Sequence, residues 1–207
     1  MKSTYKQLAV SLLAGIAITG TLITLLSINI YDVYPLISCV LAVLAVSASC
    51  FAIVFKPTKT QLKRSFVVYL VSWYLVLGLI GYRFLAPDHN FHIFIMNLDP
   101  LAALTEGTTL AQYLTCATML GTVIFAYFLT KLGYTQNTKG FAICCIAIVA
   151  SMCFVEFSQF IFNSGVGDIN DIILTSVSGL LALCIFSYLA QYKAKAKVSH
   201  LEPCKEA

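Results

Sequence analysis

Two polar segments with ionisable side chains interrupt an otherwise apolar chain. In the later segment, Glu156, Gln159 and Asn163 lie at relative positions 0, 3 and 7, so they share one face of a helix. A turn with two glycines follows, and Asp168 and Asp171 come soon after it. Carboxylates and amides grouped in this way can bind a polar ligand or transfer a proton.

The helix predicted after this turn carries a second polar stripe. Asp171, Thr175 and Ser178 lie at relative positions 0, 4 and 7, again on one face. Because two helices joined by a tight turn run antiparallel, we expect this stripe to face the first one. Asn163 would then lie near Asp171, and Glu156 would lie at the level of Ser178.

Glu156 is the candidate functional group of these stripes. At 1.5 Å per residue it lies roughly 10 Å below the end of its helix. If that helix crosses a membrane, a carboxylate at this depth costs on the order of 2–3 kcal/mol to insert and predicts a functional site. The alternative is a structural role, in which Glu156 bonds to Gln159 and a neighbouring threonine and holds helices together.

The earlier polar segment covers residues 87–107. A short apolar stretch over 91–96 is too short to span a membrane and is typical of an interfacial segment. Residues 97–100 (Asn-Leu-Asp-Pro) then form a turn signal. His89 and His92 have a spacing that could ligate a metal, but two isolated histidines in a loop are usually solvated. No metal site is therefore predicted.

Arg83 is the only basic residue close to this segment, and it is the natural partner for one of the carboxylates. The predicted ligand-binding set is Arg83, Asn97, Glu156, Gln159, Asp168 and Asp171. No cofactor and no nucleic-acid partner are predicted.

The composition indicates what kind of scaffold must hold these residues. Of the 207 residues, 59% are hydrophobic and 11% are charged, and the mean hydropathy is +0.88. A soluble domain would carry about 25% charged residues. The apolar residues form six runs, each close to the roughly 20 residues that cross a bilayer: 8–30, 35–55, 65–85, 110–132, 141–162 and 172–192. We predict an all-α polytopic membrane bundle of about six transmembrane helices, because in lipid a helix satisfies its own backbone hydrogen bonds.

The basic residues predict the orientation. Twelve of the 13 precede the first run, follow the second run, lie at the end of the fourth run or just after it, or lie in the tail, and Arg83 is the exception. By the positive-inside rule both termini are cytoplasmic. Most acidic residues fall on the opposite side, where we expect the chemistry. The first run is interpreted as a retained span, since its apolar stretch of about 23 residues exceeds that of a signal peptide.

The remaining features predict structure rather than chemistry. Thr115, Thr118 and Thr122 share one face of the fourth run and are interpreted as packing residues. The eight cysteines are expected to act mostly as small apolar side chains inside the spans. Three parts are predicted: a transmembrane hairpin over 1–64, a four-helix membrane unit over 65–192, and a basic cytoplasmic tail with a frayed end over 193–207.

Two motifs resemble those of the VanZ-like family of bacterial membrane proteins. One is the Asn-Leu-Asp-Pro-Leu sequence over 97–101, similar to the family's Asn-Leu-x-Pro-Phe. The other is Glu156 and Gln159 in a Glu-x-x-Gln pattern, followed by a glycine turn, two aspartates and a last helix. The resemblance covers about residues 65–192. It departs from the family where Gly165 and Val166 replace an arginine in the turn, which puts any role of a positive charge there in doubt.

The resemblance implies an envelope role but no particular reaction. Members of the family are associated with low-level resistance to the glycopeptide teicoplanin and with envelope or polysaccharide metabolism. We therefore favour an inner-membrane protein whose outward-facing polar pocket binds a lipid-linked or amphiphilic envelope molecule. Three alternatives stay open: a structural accessory subunit, a lipid-modifying enzyme with Glu156 as acid or base, and a small transporter.

Overall fold

The computed structural model describes residues 2–27, 36–84, 96–97, 109–161 and 167–199. Within them the chain forms six helices and one small sheet, in this order: α1 (Lys2–Ser27), α2 (Leu36–Val54), α3 (Lys59–Phe84), β1 (Met96–Asn97), α4 (Thr109–Lys131), α5 (Thr138–Ile161), β2 (Gly167–Asp168) and α6 (Ile169–Ser199). Each of the six predicted apolar runs overlaps one helix, so the all-α prediction is confirmed.

Three of the described helices contain a stretch long and apolar enough to cross a membrane. These stretches are Thr4–Leu22, Thr138–Ser158 and Ile169–Ala194, in α1, α5 and α6. The other two apolar stretches, Cys39–Val54 in α2 and Thr115–Lys131 in α4, are shorter. Large apolar side chains such as Leu13, Ile146 and Leu181 are more than half exposed on the outer faces of these helices. Such surfaces suit lipid rather than water, and the protein is a membrane protein.

Helix α3 begins six residues before the predicted run because a capping box starts it. The Thr58 backbone N–H donates to Gln61 Oε1 at 2.9 Å, and the Gln61 N–H donates to Thr58 Oγ1 at 3.4 Å. This reciprocal pair satisfies two N–H groups that a helix start leaves without partners. The polar turn over 59–64 is therefore helical, and it places Lys59, Lys63 and Arg64 on α3.

The turn between α4 and α5 is fixed by its own residues. Gly133 takes a positive φ of 85°, and the Tyr134 N–H donates to Leu129 O at 3.1 Å, which is the geometry of a Schellman helix end. Asn137 follows Gly133 by four residues and caps the start of α5, because its Oδ1 accepts the Gly140 N–H at 2.6 Å. The two helices therefore form a short antiparallel hairpin.

Helix α6 is longer than its apolar run. It continues through Lys193 and Lys195 to Ser199. The prediction of a frayed tail from residue 193 is wrong for this part. Alanine and lysine alternate there, and both are strong helix formers, so the helix does not stop where the apolar residues end. Residues 200–207 lie outside the described part of the chain.

An aromatic cluster joins α3 to α4. The rings of Phe66 and Phe125 stack with centroids 5.7 Å apart, and Tyr69 stacks on Phe128 at 5.3 Å. Tyr69 is 1% exposed, and its hydroxyl donates to the carbonyl oxygen of Gly121. A glycine is needed at position 121 because a Cβ would overlap the ring of Trp73.

Most basic residues of the described chain, with Arg83 as an exception, gather at one end of the bundle, which we call the basic end. Tyr5 of α1, Phe51 of α2 and Arg64 of α3 line one groove, so the start of α1, the end of α2 and the start of α3 lie together. Tyr127, near the end of α4, donates from its hydroxyl to Ala52 O at 3.1 Å and joins them. The basic residues of these helix ends and connections are Lys6, Lys56, Lys59, Lys63, Arg64, Lys131 and Lys139.

Candidate functional site

The two polar segments found in the sequence lie side by side, joined through their backbones. Strands β1 and β2 pair in parallel, with Met96 opposite Gly167 and Asn97 opposite Asp168. Neighbouring strands lie about 4.8 Å apart, so Asn97 and Asp168 are direct neighbours although they belong to distant parts of the sequence. The pair lies at the bundle end opposite the basic end, since β2 leads directly into the start of α6.

Asp171 extends this polar end into the helices. It lies in the first turn of α6, where the helix dipole favours a negative charge. Thr115 Oγ1 of α4 donates to Asp171 Oδ1 at 2.9 Å. Thr115 is 6% exposed, so this bond between a hydroxyl and a carboxylate is largely out of solvent. A hydrogen bond to a charged group contributes about 1.5–3 kcal/mol, more than a neutral one.

Further along α6, the hydroxyls of Thr122 (α4) and Ser178 (α6) form hydrogen bonds between the two helices, and we call this contact the seam. Thr122 Oγ1 lies 2.9 Å from Thr175 O and 2.9 Å from Ser178 Oγ. Ser178 Oγ lies 3.3 Å from Met119 O. Each hydroxyl has one proton to donate, and each reaches a carbonyl of the opposite helix. Thr175 donates to Asp171 O within its own helix, so the hydroxyls of this seam are used inside the protein.

The seam is possible because α6 carries a glycine at the contact. A Cβ on Gly179 would lie 2.8 Å from Ile148 Cγ2 of α5 and 3.1 Å from Thr122 Cβ of α4. Three helices therefore meet at Gly179, closer than any other residue would allow. This contact positions the polar residues one to two turns above it.

Glu156 lies on α5 at the same end of the bundle as Asp171. It is 7% exposed. The contact between Ile148 and Gly179 sets the register of the antiparallel pair, and eight residues from it in each helix are Glu156 and Asp171. At 1.5 Å per residue both lie about 12 Å above the contact, so Glu156 is level with Asp171 and not with Ser178 as expected.

The polar stripe of α6 faces a different helix from the one predicted. The expectation that it faces the stripe of α5 is wrong for Asp171 and Ser178, because their side chains bond to Thr115 and Thr122 of α4. The threonine spacing on α4 was visible in the sequence, but pattern alone does not say which of two neighbouring helices a stripe faces. Contacts between α4 and α6 are in fact the most extensive in the bundle.

The other predicted site residues are described only in part. Arg83 lies in α3, Gln159 in α5, Asn97 in β1 and Asp168 in β2, and of these residues the backbone alone is described. Asn163 lies outside the described residues, as do His89, His92 and the apolar stretch 91–95. Among the described residues no group of three or more His, Cys, Asp or Glu side chains could hold a metal ion.

Two residues that were not in the predicted ligand-binding set belong to this end of the bundle. Asn170 lies between the two aspartates and is fully buried. Thr115 was assigned to packing alone, yet it bonds to the carboxylate of Asp171. Its position three and seven residues before Thr118 and Thr122 is the signal that could have identified it.

Comparison with known proteins gives no relative: no family model matches the chain, and no curated protein or solved structure matches it.

The seam predicts an energetic coupling between α4 and α6. Thr122→Val and Ser178→Ala each remove one hydroxyl of the pair, and the second substitution should cost less once the first is present. We expect a coupling of about 0.6 kcal/mol, the average for hydrogen bonds between membrane helices. The measurement is a double-mutant cycle of unfolding free energies in mixed micelles. Thr21→Val in place of Thr122→Val is the matched control and should show no coupling to Ser178→Ala. Thr21 is exposed and donates to Ala17 O of its own helix. Additive costs would contradict the seam.

Proposed function

We propose that the chain is a multi-pass protein of the bacterial inner membrane, with six transmembrane helices and both termini in the cytoplasm. Support comes from the apolar stretches of α1, α5 and α6, which are long enough to cross a bilayer, and from the shorter ones in α2 and α4. The basic end gathers basic residues from the starts of α1, α3 and α5, from the α2–α3 connection and from the last residue of α4. This charge segregation favours the basic end on the cytoplasmic side.

We further propose that the chain is a VanZ-like protein. The resemblance rests on two short motifs, and each alone is weak. The pairing of Asn97 with Asp168 supports the proposal because it joins the first motif to the turn of the second. Segments that form one site are expected to carry its characteristic residues together. The four-helix unit over 65–192 would then be the common part, with the hairpin over 1–64 as an addition.

The function that this geometry supports best is the binding or handling of an amphiphilic envelope molecule. The observation that carries it is the juxtaposition of Asn97 and Asp168 at the end of the bundle where Glu156 and Asp171 lie level. In the proposed orientation these groups lie at the outer leaflet, with polar groups above and apolar helix faces beside them. A molecule with a polar head and a lipid tail matches both surfaces.

Glu156 has the strongest claim to a direct role. It lies 18 residues beyond the start of α5, roughly 27 Å along the helix, which is near the outer end of a 30 Å hydrocarbon core. The residue is 7% exposed, and burying an ionisable group costs free energy, so a function is the simplest reason to keep it. Hydrogen bonding to a hydroxyl or amide of the ligand head would use that group.

A second candidate is a structural or accessory membrane subunit, and one observation favours it. The hydroxyls of Thr122, Thr175 and Ser178 are all bonded within the bundle, as expected for polar contacts that only hold helices together. If Glu156 and Asp171 serve the same purpose, the polar end is an extension of the seam. The two candidates differ in the effect of changing Glu156.

The proposed topology predicts the side of the membrane for each loop. Green fluorescent protein fused after Thr58, Asn137 or Ala207 should fluoresce, because these positions lie on the cytoplasmic side. Alkaline phosphatase fused after Gly107 should be active, because this position lies outside. The measurement is reporter activity in whole cells at matched expression. Each reporter should therefore be fused after both Thr58 and Gly107, and the same reporter giving equal activity at these two positions would contradict six spans in this orientation.

The proposed site predicts a loss of function from isosteric change. In a deletion strain, Glu156→Gln should fail to restore the membrane-lipid and lipid-linked glycan profile that the wild type restores. Losing a hydrogen bond to a charged group weakens binding about tenfold or more. The measurement is mass spectrometry of extracted lipids, with membrane levels of the variants matched. Teicoplanin susceptibility is a second readout in a strain that the drug can reach.

Ser158→Ala is the control for this experiment. Ser158 lies two residues away on the same helix, and its hydroxyl donates to Phe154 O of that helix at 2.6 Å. This variant should restore the profile fully. If Glu156→Gln also restores it, Glu156 is structural and the accessory-subunit candidate replaces the binding site.

A further inference from the structure

A groove opens at the basic end, on the side of the bundle away from the polar site. Its walls come from α1, α2 and α3, and its volume is about 620 Å³. Pockets that bind small molecules and cofactors occupy roughly 300–1,000 Å³, so the groove is large enough for a ligand. None of the described residues that line it belongs to the candidate site at the other end.

The groove has an apolar floor and a polar rim. Leu8 and Leu12 of α1, Leu44 and Phe51 of α2 and Val68 of α3 supply the floor. At the rim, the first two turns of α3 present Gln61, Arg64 and Ser65 to the same space. The groove therefore has an apolar part and a part with one cation and several hydrogen-bond donors.

The shape of the groove follows from a close contact between α1 and α2. A Cβ on Gly15 would lie 2.0 Å from Ser47 Oγ and 2.9 Å from Val43 O, so the two helices touch there. Ser11 and Ser47 line the groove beside this contact, and the groove runs from it toward Thr4 at the start of α1. It is thus closed near the middle of the helices and open at the basic end.

The charge of the rim is suited to an anion. Arg64 is the cation among the described residues that line the groove. Among the described lining residues there is no carboxylate that would neutralise Arg64. A guanidinium group binds phosphate through paired N–H donors, and Gln61 and Ser65 add donors within one turn.

We propose that this groove binds one anionic phospholipid of the cytoplasmic leaflet. An acyl chain lies along Leu8, Leu12 and Leu44, and the lipid phosphate bonds to Arg64 at the rim. The inference rests on the proposed orientation, which puts the basic end at the cytoplasmic surface where anionic lipids lie. It does not depend on what the opposite end binds. In this arrangement the bound lipid fastens α1 to the α2–α3 hairpin.

Arg64→Gln tests the headgroup contact. Wild-type protein purified in detergent should retain phosphatidylglycerol in preference to phosphatidylcholine with the same acyl chains, as measured by native mass spectrometry. In Arg64→Gln the affinity for phosphatidylglycerol should fall about fivefold, the effect of one basic group at an anionic surface. The affinity for phosphatidylcholine should fall less, because its choline cation offsets the charge of its phosphate. Lys63→Gln is the matched control. It removes the same charge from the neighbouring residue, whose side chain does not line the groove. Equal losses in both variants would show general surface attraction and overturn the proposal.

Leu12→Trp tests the acyl-chain contact without changing charge. The indole ring would fill part of the floor, so both lipids should bind less. Leu13→Trp is its control, because Leu13 is 66% exposed and lies outside the groove. Unchanged binding in Leu12→Trp would place the lipid elsewhere. A failed lipid-profile experiment on Glu156 leaves these results unaffected, since lipid retention is measured on the purified protein with the opposite end intact.

Discussion

The close contact at Gly179 is the constraint on which the polar end of this protein depends. There α6 approaches α4 and α5 more closely than a side chain at this position would permit. Thr122 of α4 bonds to the carbonyl oxygen of Thr175, and Ser178 of α6 bonds to that of Met119, so the two helices are joined in both directions. In lipid, apolar burial gives little drive for helices to associate, so close packing and hydrogen bonds between helices carry more of the stability. The register fixed at this contact sets the height of every polar group above it.

From this contact the polar groups follow in order toward the end of the bundle. Asp171 meets Thr115 across the same pair of helices, and Glu156 reaches the same level on α5. β2 precedes α6 directly, so the position of α6 also fixes where β1 can pair. One end thereby collects carboxylates and an asparagine, while the other end carries the lysines and the groove between α1, α2 and α3. The protein is polar at both ends and apolar on the outer faces between them, as expected of a membrane protein.

The sequence predicted the helices better than their partners. Six apolar runs sufficed to identify six helices, because in lipid the backbone has few other options. The capping box at Thr58 and the helix formers after Lys193 moved two boundaries, since local signals outweigh the loss of hydropathy there. The choice of partner for the Asp171 stripe was wrong because periodicity gives a face and not its neighbour. The partner helix is determined at Gly179, where α6 packs closely against α4 and α5. This packing depends on the arrangement of three helices, so the sequence pattern alone does not predict it.

The central claim is that two distant segments meet at one end to build the site, and a disulfide crosslink tests it most directly. Asn97→Cys and Asp168→Cys would be introduced together into a variant whose native cysteines are replaced. Direct neighbours on paired strands lie about 4.8 Å apart, within the 4.4–6.8 Å range of Cα separations in disulfides. We predict efficient crosslinking under mild oxidation in native membranes, and none for the control pair Asn97→Cys with Tyr134→Cys, which lies at the opposite end. If the first pair stays reduced while both thiols react with a maleimide, the two segments do not meet and the proposed site is contradicted.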